Sequence, residues 1–160
     1  MSSPVSGAIP EERSPQVQVV IDFLTTFCHQ DFDKLATLLT DDYIHDIVPR
    51  SLEIAPRDKL TWVKSTQGIL KLFNYFKFEV HEIVEGQNIV TIHASSDGTT
   101  NSGGTYNNEY AMFFELTPET NSEGVKIRRT KEFVNSKFTA EFFPAEKARQ
   151  EAAGNNVVLL

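Results

Sequence analysis

Hydrophobic residues in the first half of the chain recur at the three- and four-residue steps of amphipathic helices. Ser14 and Pro15 are a typical helix start, with serine as the N-cap and proline at the first helical position. One apolar stripe follows, formed by Val17, Val20, Ile21, Leu24, Phe27 and Cys28. Two further helices are predicted, a short one over residues 33–39 and a third that opens at Pro56 and continues to residue 73. Residues 1–14 are small and polar, and we expect a flexible tail there.

From residue 76 onwards the pattern changes to the two-residue alternation of β-strands. Phe76, Phe78 and Val80 alternate with charged or polar neighbours in a predicted strand over residues 76–84. The other predicted strands lie at residues 43–48, after a turn at 40–42, and at 89–96, 105–116 and 125–138, with a loop over 97–104. Because helices precede most of the strands, the pattern predicts an α+β domain in which helices cover one face of a curved sheet.

The last part of the chain is predicted to complete the sheet and then to leave it. Phe142 and Phe143, followed by Pro144, are expected to close the sheet. Residues 144–153 are rich in Ala, Glu, Lys and Arg, as is typical of a short surface helix, and residues 155–160 form a tail with an apolar end suited to a groove. The predicted division is therefore a tail (1–14), one domain (15–143) and a C-terminal helix and tail (144–160).

Composition narrows the possible function classes. A chain of 160 residues with 40% hydrophobic and 11% aromatic residues is typical of one globular domain. The net charge of -7 argues against a nucleic-acid partner and against an anionic membrane surface, since both attract clusters of Lys and Arg. No apolar run approaches the roughly 20 residues of a membrane helix, so we expect a soluble, cytoplasmic protein. Cys28 is the only cysteine, which excludes an intrachain disulfide and favours a buried, inert thiol.

Chemistry-bearing side chains concentrate in the hairpin predicted from residues 105–116 and 125–138. On the first strand, the side chains that share one face are those of Tyr106, Asn108, Tyr110, Met112 and Phe114. On the second strand, Glu132 shares a face with Val134, and Arg128 lies on that face too, where it could instead pair with the carboxylate. Two phenols, an amide and a carboxylate can therefore converge on one sheet surface. Such groups among apolar neighbours are suited to proton transfer.

Four segments occur at spacings known from one protein superfamily. They are Phe32-Asp33-Lys34-Leu35 followed by Leu38-Leu39-Thr40-Asp41-Asp42-Tyr43, then Pro56-Arg57-Asp58-Lys59, Asn107-Asn108-Glu109-Tyr110, and Lys131-Glu132-Phe133-Val134-Asn135-Ser136. Together they resemble the nuclear-transport-factor-2-like superfamily, and within it the SnoaL-like and ketosteroid-isomerase-like group, in particular its small fungal members. The resemblance covers about residues 15–143. It implies a cone of about three N-terminal helices packed on a strongly bent antiparallel sheet, an apolar pocket in the mouth of the cone, and a homodimer formed through the outer sheet face.

The resemblance also implies positions for the site residues. The catalytic base of the steroid isomerases aligns with Asp46 or Ile47, depending on one residue of register, and His45 is the neighbouring residue suited to proton transfer near neutral pH. A second polar position, which polarises a carbonyl, falls at Tyr110, and Glu132 is expected to assist as acid or base. Residues expected to contact the substrate are Tyr106, Asn108, Trp62, Met112 and Phe114. For each of these the alternative interpretation is ordinary core packing or, for the charged residues, a surface ion pair.

Two hypotheses for the function follow. The first is a cofactor-independent isomerase, cyclase or dehydratase that acts on a small, apolar, oxygenated substrate of the secondary-metabolite kind. The second is a non-catalytic ligand-binding or dimerisation module of the same fold. No glycine-rich loop precedes a helix, and His45, His81, His93 and Glu132 lack the spacing of metal ligands, so we expect neither cofactor nor metal. An open cavity lined by converging polar groups favours the enzyme, whereas a cone packed shut favours the module.

Overall fold

The computed structural model describes residues 3–155, which form four α-helices and seven β-strands. In chain order the elements are β1 (Val5–Gly7), α1 (Pro15–Cys28), α2 (Phe32–Thr37), β2 (Leu39–Val48), β3 (Arg57–Asp58), α3 (Lys59–Leu70), β4 (Phe73–Gly86), β5 (Ile89–Thr100), β6 (Thr105–Leu116), β7 (Ile127–Val134) and α4 (Ser136–Ala152). A short 3-10 turn at Arg50–Leu52 lies between β2 and β3. The predicted α+β class is confirmed, because the helices pack on one curled, unclosed sheet.

The seven strands lie in the order β1-β4-β5-β6-β7-β2-β3. The four long strands β4 to β7 form a consecutive antiparallel meander, whereas β1 pairs with β4 and β2 pairs with β7 in parallel. Register shifts interrupt β4 against β5, and β6 against β7. Such irregularities bend strands and increase their twist, so they help the sheet to curl around the helices. The curled inner face carries the side chains of the candidate site.

The helix starts follow from capping side chains. The Ser14 hydroxyl accepts a hydrogen bond from the backbone N–H of Val17 at 3.1 Å, and Pro15 occupies the first position of α1, as predicted. The Asp58 carboxylate caps α3 in the same way through the N–H of Thr61 at 2.8 Å. Both helices then turn apolar side chains towards the inner face of the sheet. Their aromatic residues, Phe23 and Trp62, stack with ring centroids 5.5 Å apart.

The chain after β7 differs from its prediction. The strand predicted over residues 125–138 ends at Val134, and the expected closing strand at Phe142, Phe143 and Pro144 is wrong, since all three lie in α4. Asn135 explains the change, because its side chain accepts a hydrogen bond from the N–H of Phe138 and so starts a helix. A run of aromatic residues fits either element, and the cap favours the helix. The start of α4 consequently covers one end of the sheet interior.

Strand ends also differ from the pattern. The predicted turn at residues 40–42 lies inside β2, where the pairing with β7 shifts register between Leu39 and Ile44. The predicted loop over 97–104 is mostly strand, because β5 continues through Thr100. Polar residues in a strand pattern are as typical of an exposed strand face as of a loop, so the pattern predicts these two strand ends wrongly.

Part of the expected flexible tail is a strand. Val5–Gly7 pairs with Phe78–Val80, and the Val5 side chain is buried. Gly7 has φ +102, and a Cβ there would lie 2.1 Å from the Val80 carbonyl oxygen, so glycine permits this close approach. The expectation of a loose tail therefore does not hold for residues 5–7. The apolar tail predicted over 155–160 lies, apart from Asn155, outside the described residues.

Two further expectations concern Cys28 and the membrane. The Cys28 thiol lies at the end of α1, and burial raises its pKa to about 12, so it remains protonated and is a weak nucleophile. Across residues 3–155, no helix has both the length and the apolar character needed to cross a membrane.

Candidate functional site

A cavity of about 290 Å³ opens between the helices and the inner face of the sheet. The wall is formed by helices α1 and α3, the start of α4, and strands β2, β3, β4, β6 and β7. Most of the wall is aromatic or aliphatic, including Phe23, Phe27, Phe73, Phe76, Phe78 and Phe143. Its ionisable side chains are those of His45, Arg57, Tyr106, Tyr110 and Glu132. An apolar cavity with a few polar groups, close to the lower end of the roughly 300–1,000 Å³ range, is typical of a small-molecule site.

One end of the cavity holds a hydrogen-bonded histidine and carboxylate. His45 on β2 lies next to Glu132 on β7, with 3.2 Å between Nε2 and Oε2, and we call these two residues the acid–base pair. The Tyr43 hydroxyl lies 3.1 Å from the other imidazole nitrogen, Nδ1. The indole of Trp62 stacks on the imidazole, with 5.1 Å between ring centroids and 25° between planes. Strand pairing and aromatic stacking therefore hold the imidazole in one orientation.

With a neutral His45 ring and a deprotonated Glu132, the hydrogen bonds of His45 fit a single arrangement of protons. Tyr43 donates its hydroxyl proton to Nδ1, and Nε2–H donates to the ionised Glu132 carboxylate. Burial raises the pKa of the Tyr43 hydroxyl, so that hydroxyl keeps its proton. Both imidazole nitrogens are then occupied. Within residues 3–155 no hydrogen bond reaches Oε1 of Glu132, which leaves this oxygen as the free proton acceptor of the pair.

Another part of the wall holds two hydrogen-bonded tyrosines. Tyr110 donates to the Tyr106 hydroxyl at 3.2 Å, and we call Tyr106 and Tyr110 the phenol pair. Asn108 donates its side-chain amide to the same Tyr106 oxygen at 2.9 Å, and Ser96 lies 3.0 Å from the Tyr110 hydroxyl. Among the described residues the Tyr106 oxygen accepts two hydrogen bonds and its own proton reaches no acceptor, which leaves that proton free for a ligand. Burial raises the pKa of Tyr106, and raises that of Tyr110 well above its ordinary value.

The structure brings most of the predicted residues to one cavity. The residues that line it are His45, Tyr110, Glu132, Tyr106, Trp62 and Met112. Asn108 does not line the cavity, and its side-chain amide donates to Tyr106 and Thr139, which do. Phe114 is fully buried against Phe23, with 5.4 Å between ring centroids, and does not line the cavity.

Asp46 is the predicted residue that the structure separates from the cavity. It follows His45 on β2, and its side chain lies on the outer face, where the Arg129 guanidinium contacts Oδ2 at 2.6 and 2.5 Å. The register that the sequence left open at residues 45–46 thus turns His45 inwards. The alternative pairing of Glu132 with Arg128 does not occur, since Arg128 lies 4.0 Å from Asp42.

Sequence reasoning missed Tyr43, Arg57, Ser96 and Thr139. Tyr43 lies two residues before His45 on one strand, so alternation alone could have placed both on the same face. Ser96 lies directly opposite Asn108 in the β5–β6 pairing, a register that the predicted loop over 97–104 does not give, since β5 continues through Thr100. Arg57 and Thr139 carry no comparable signal, because β3 has only two residues and Thr139 lies on α4, where the pattern predicts a strand. In the part of the chain that the structure describes, no three His, Cys, Asp or Glu side chains are grouped as metal ligands.

Comparison with known sequences identifies distant fungal relatives. No protein-family model matches the chain. The monooxygenase dmxR10 of a Cryptosporiopsis species is 27% identical over 108 residues, covering 66% of this chain and 69% of that protein. The monooxygenase ptaG of Pestalotiopsis fici is 24% identical over 135 residues, covering 82% and 90% of the two chains.

Comparison with solved structures identifies the fold. The pinacolase BvnE of Penicillium brevicompactum superposes with a TM-score of 0.71 at 21% identity, covering 88% of this chain and 97% of that one. PrhC of Penicillium brasilianum has a TM-score of 0.71 at 14% identity, with 88% and 90% covered. A protein described as a SnoaL-like polyketide cyclase from Shewanella denitrificans gives 0.67 at 8% identity, with 83% and 99% covered. The resemblance inferred from the sequence is confirmed at the level of the fold.

Proposed function

We propose that this chain, which has the SnoaL-like fold of the nuclear-transport-factor-2-like superfamily, is an enzyme of secondary metabolism that transfers a proton on a small, apolar, oxygenated substrate. One observation carries the proposal. The acid–base pair and the phenol pair line the same apolar cavity of about 290 Å³. A proton acceptor and a proton donor that share one dry cavity are the two groups that enolisation of a ketone requires.

The first step of the proposed reaction removes a proton from carbon. Oε1 of Glu132 accepts the proton of a C–H bond next to a carbonyl, while the Nε2–H of His45 holds the other carboxylate oxygen. The electron pair of the broken C–H bond moves to the carbonyl oxygen, where the free Tyr106 proton stabilises the enolate. Acid–base catalysis of this kind contributes about 10²–10⁴-fold, and one oxyanion donor about 10²–10³-fold.

The fate of the enolate decides the reaction class. Return of the proton from Glu132 to a different carbon gives an isomer, and loss of a β-hydroxyl with that proton gives a dehydration product. Attack of the enolate on an electrophilic carbon of the same molecule gives a ring. All three outcomes use the same acid–base pair, so the proposal covers the isomerase, dehydratase and cyclase reactions expected from the sequence.

The names of the relatives favour a second candidate, an oxygenation. Two of them are monooxygenases. Proton removal by Glu132 also prepares a carbanion for reaction with molecular oxygen, which then converts a CH₂ group to a carbonyl and releases one oxygen atom as water. The electrons come from the substrate in this case. Consumption of oxygen in an electrode chamber distinguishes this reaction from isomerisation, dehydration and cyclisation, which consume none.

The experiment that tests the proposal measures hydrogen exchange on a ketone. The probe is 2-tetralone, an apolar bicyclic ketone with enolisable protons, incubated in D₂O and followed by proton NMR. We expect the wild-type protein to accelerate loss of the α-proton signal over buffer, and Glu132→Gln to remove that acceleration. Quenching of Trp62, the only tryptophan of the chain, reports whether the ketone enters the cavity. Binding without accelerated exchange in the wild type would instead favour the non-catalytic module.

We also propose that the protein forms a homodimer through the outer face of the sheet. Phe113 and Phe133, diagonal neighbours in the β6–β7 pairing, are 37% and 51% exposed on that face. A second copy would bury them. Light scattering is expected to give twice the mass of the 18.0 kDa chain, and Phe133→Asp to give a monomer. A monomeric wild type would contradict this assembly.

A further inference from the structure

Arg57 is a cavity residue that the proton transfer does not use. It belongs to β3, a two-residue strand, and lies directly opposite His45 in the antiparallel pairing with β2. Residues directly opposite each other in such a pair point to the same face, with about 5 Å between their Cβ atoms. Its side chain lines the cavity together with Leu52 and Ile54, which are partly exposed. The backbone of Arg57 therefore lies next to that of His45, and its side chain enters the cavity wall at a side that solvent reaches.

The position of the Arg57 side chain is supported by α3. Nη1 donates to the Ser65 hydroxyl at 3.1 Å, and that hydroxyl in turn donates to the backbone oxygen of Trp62 at 3.0 Å. Ser65 itself is buried. The guanidinium has five N–H groups, so the contact to Ser65 leaves several of them for another acceptor.

Within residues 3–155, no carboxylate lies within 4 Å of the Arg57 guanidinium. His45 and Glu132, which also line the cavity, are already hydrogen-bonded to each other. Arginines elsewhere in the sheet and in α4 have carboxylate partners, as Arg129 has in Asp46 and Arg149 in Glu146. A half-buried guanidinium next to an apolar wall loses hydration, and an anionic ligand compensates for that loss.

We propose that Arg57 binds a carboxylate of the substrate, so that the substrate class is an apolar carboxylic acid. The planar guanidinium matches a carboxylate with two parallel hydrogen bonds, which Lys cannot reproduce. Because Arg57 and His45 are neighbours across the strands, the carboxylate of the bound substrate lies close to the carbon that loses its proton. This inference deepens the proposed function and rests on it, since both use one cavity.

The test compares two ligands of one shape and different charge. Adamantane-1-carboxylate and its neutral amide absorb no light at the excitation wavelength of tryptophan, so the change in Trp62 emission on binding gives both dissociation constants without an inner-filter correction. We expect the wild type to bind the carboxylate about tenfold more tightly than the amide, as a charge-assisted hydrogen bond contributes. Arg57→Met is expected to abolish the preference through weaker carboxylate binding, with amide binding changed by less than about twofold. Arg57→Lys is expected to retain part of the preference for the carboxylate.

A matched variant separates the site from the overall charge of the protein. Arg50 lies on the exposed 3-10 turn and does not line the cavity, so Arg50→Met removes the same charge outside it. We expect this variant to keep the wild-type preference. Equal binding of carboxylate and amide by the wild type, absence of carboxylate binding at millimolar concentration, or equal effects of Arg50→Met and Arg57→Met would overturn the inference. So would an Arg57→Met variant that loses both ligands to the same extent, because that result indicates a structural role.

Binding and exchange can fail independently. A carboxylate preference that depends on Arg57, found together with no accelerated exchange on 2-tetralone, supports carboxylate binding by Arg57 and rejects the proton transfer. Accelerated exchange that depends on Glu132, found without any carboxylate preference, rejects carboxylate binding by Arg57 and supports the proton transfer. Carboxylate binding is measured by Trp62 fluorescence and exchange by proton NMR, so neither result depends on the other.

Discussion

The acid–base pair and the phenol pair are built from side chains of different kinds, although both line the same cavity. In the acid–base pair a carboxylate is hydrogen-bonded to an imidazole, and Glu132 keeps 23% of its side chain exposed. Tyr106 and Tyr110 are buried, and burial raises their pKa values, so they remain neutral. The acid–base pair can therefore take up a proton, whereas the phenol pair can only donate a hydrogen bond. Environments that separate two ionisable groups in this way commonly divide the acid and base roles of an enzyme.

The largest expected effect comes from breaking the acid–base pair. Glu132→Gln and His45→Gln are each expected to slow exchange on 2-tetralone by about 10²–10⁴-fold, the usual contribution of acid–base catalysis. If the two residues act as one unit, the double variant is no slower than the slower single variant. The measurement is the exchange rate of all four proteins under saturating ketone. Additive losses in the double variant would show that the residues act separately.

A smaller effect is expected at the phenol pair. Tyr106→Phe removes the free proton proposed to stabilise the enolate, and should slow exchange by about 10²-fold. Tyr110→Phe removes a hydrogen bond to the Tyr106 oxygen, so it acts through Tyr106 and should slow exchange less. Rates measured at saturating ketone, with dissociation constants from Trp62 quenching, separate catalysis from binding. A larger loss of exchange rate in Tyr110→Phe than in Tyr106→Phe would contradict the assignment of Tyr106 as the hydrogen-bond donor to the enolate.

Asp46 is a carboxylate on the outer face of the sheet and serves as a counterpart to Glu132 in the cavity. Asp46→Asn makes the same carboxylate-to-amide change as Glu132→Gln, but on the outer face, where Asp46 is 7% exposed and bound by Arg129. We expect a loss of about 1–3 kcal/mol in the free energy of unfolding, because the charge-assisted hydrogen bond is weakened. Urea denaturation measures this loss. Unchanged stability would indicate that the Arg129 contact contributes nothing measurable.

The smallest expected effect is a pH dependence of stability from the phenol pair. Because burial raises both tyrosine pKa values above the ordinary 10.0, the folded state keeps protons that the unfolded state has lost in alkaline solution. Their contribution is complete below about pH 10 and is lost as the pH rises from there through the folded pKa values. Urea midpoints are therefore expected to fall more steeply above pH 10 in the wild type than in the double variant Tyr106→Phe/Tyr110→Phe. Identical slopes would contradict burial of the phenols.

The inner face of the hairpin could be predicted because its geometry is local. Alternation along one strand places Tyr106 and Tyr110 together, and the pairing of β6 with β7 brings Glu132 to the same face. Side chains two apart share a face whatever the rest of the chain does, so these positions needed no knowledge of the packing.

Features that depend on distant contacts could not be predicted in this way. Whether His45 or Asp46 faces inwards depends on the parallel pairing of β2 with β7, which joins residues more than 80 positions apart. Arg57 enters the cavity through a strand of only two residues, too short for any periodicity. The aromatic residues of α4 fit both strand and helix patterns, and the Asn135 cap decided between them.

The exchange rates of Glu132→Gln and Asp46→Asn, measured side by side with the wild type on 2-tetralone in D₂O, test the central claim most directly. Both variants replace one carboxylate by an amide and differ in the face of the sheet that carries it. The account predicts that Asp46→Asn retains the wild-type acceleration, while Glu132→Gln approaches the rate in buffer. An Asp46→Asn variant that remains folded but loses the acceleration, or a Glu132→Gln variant that retains it, would contradict the assignment of proton transfer to the cavity.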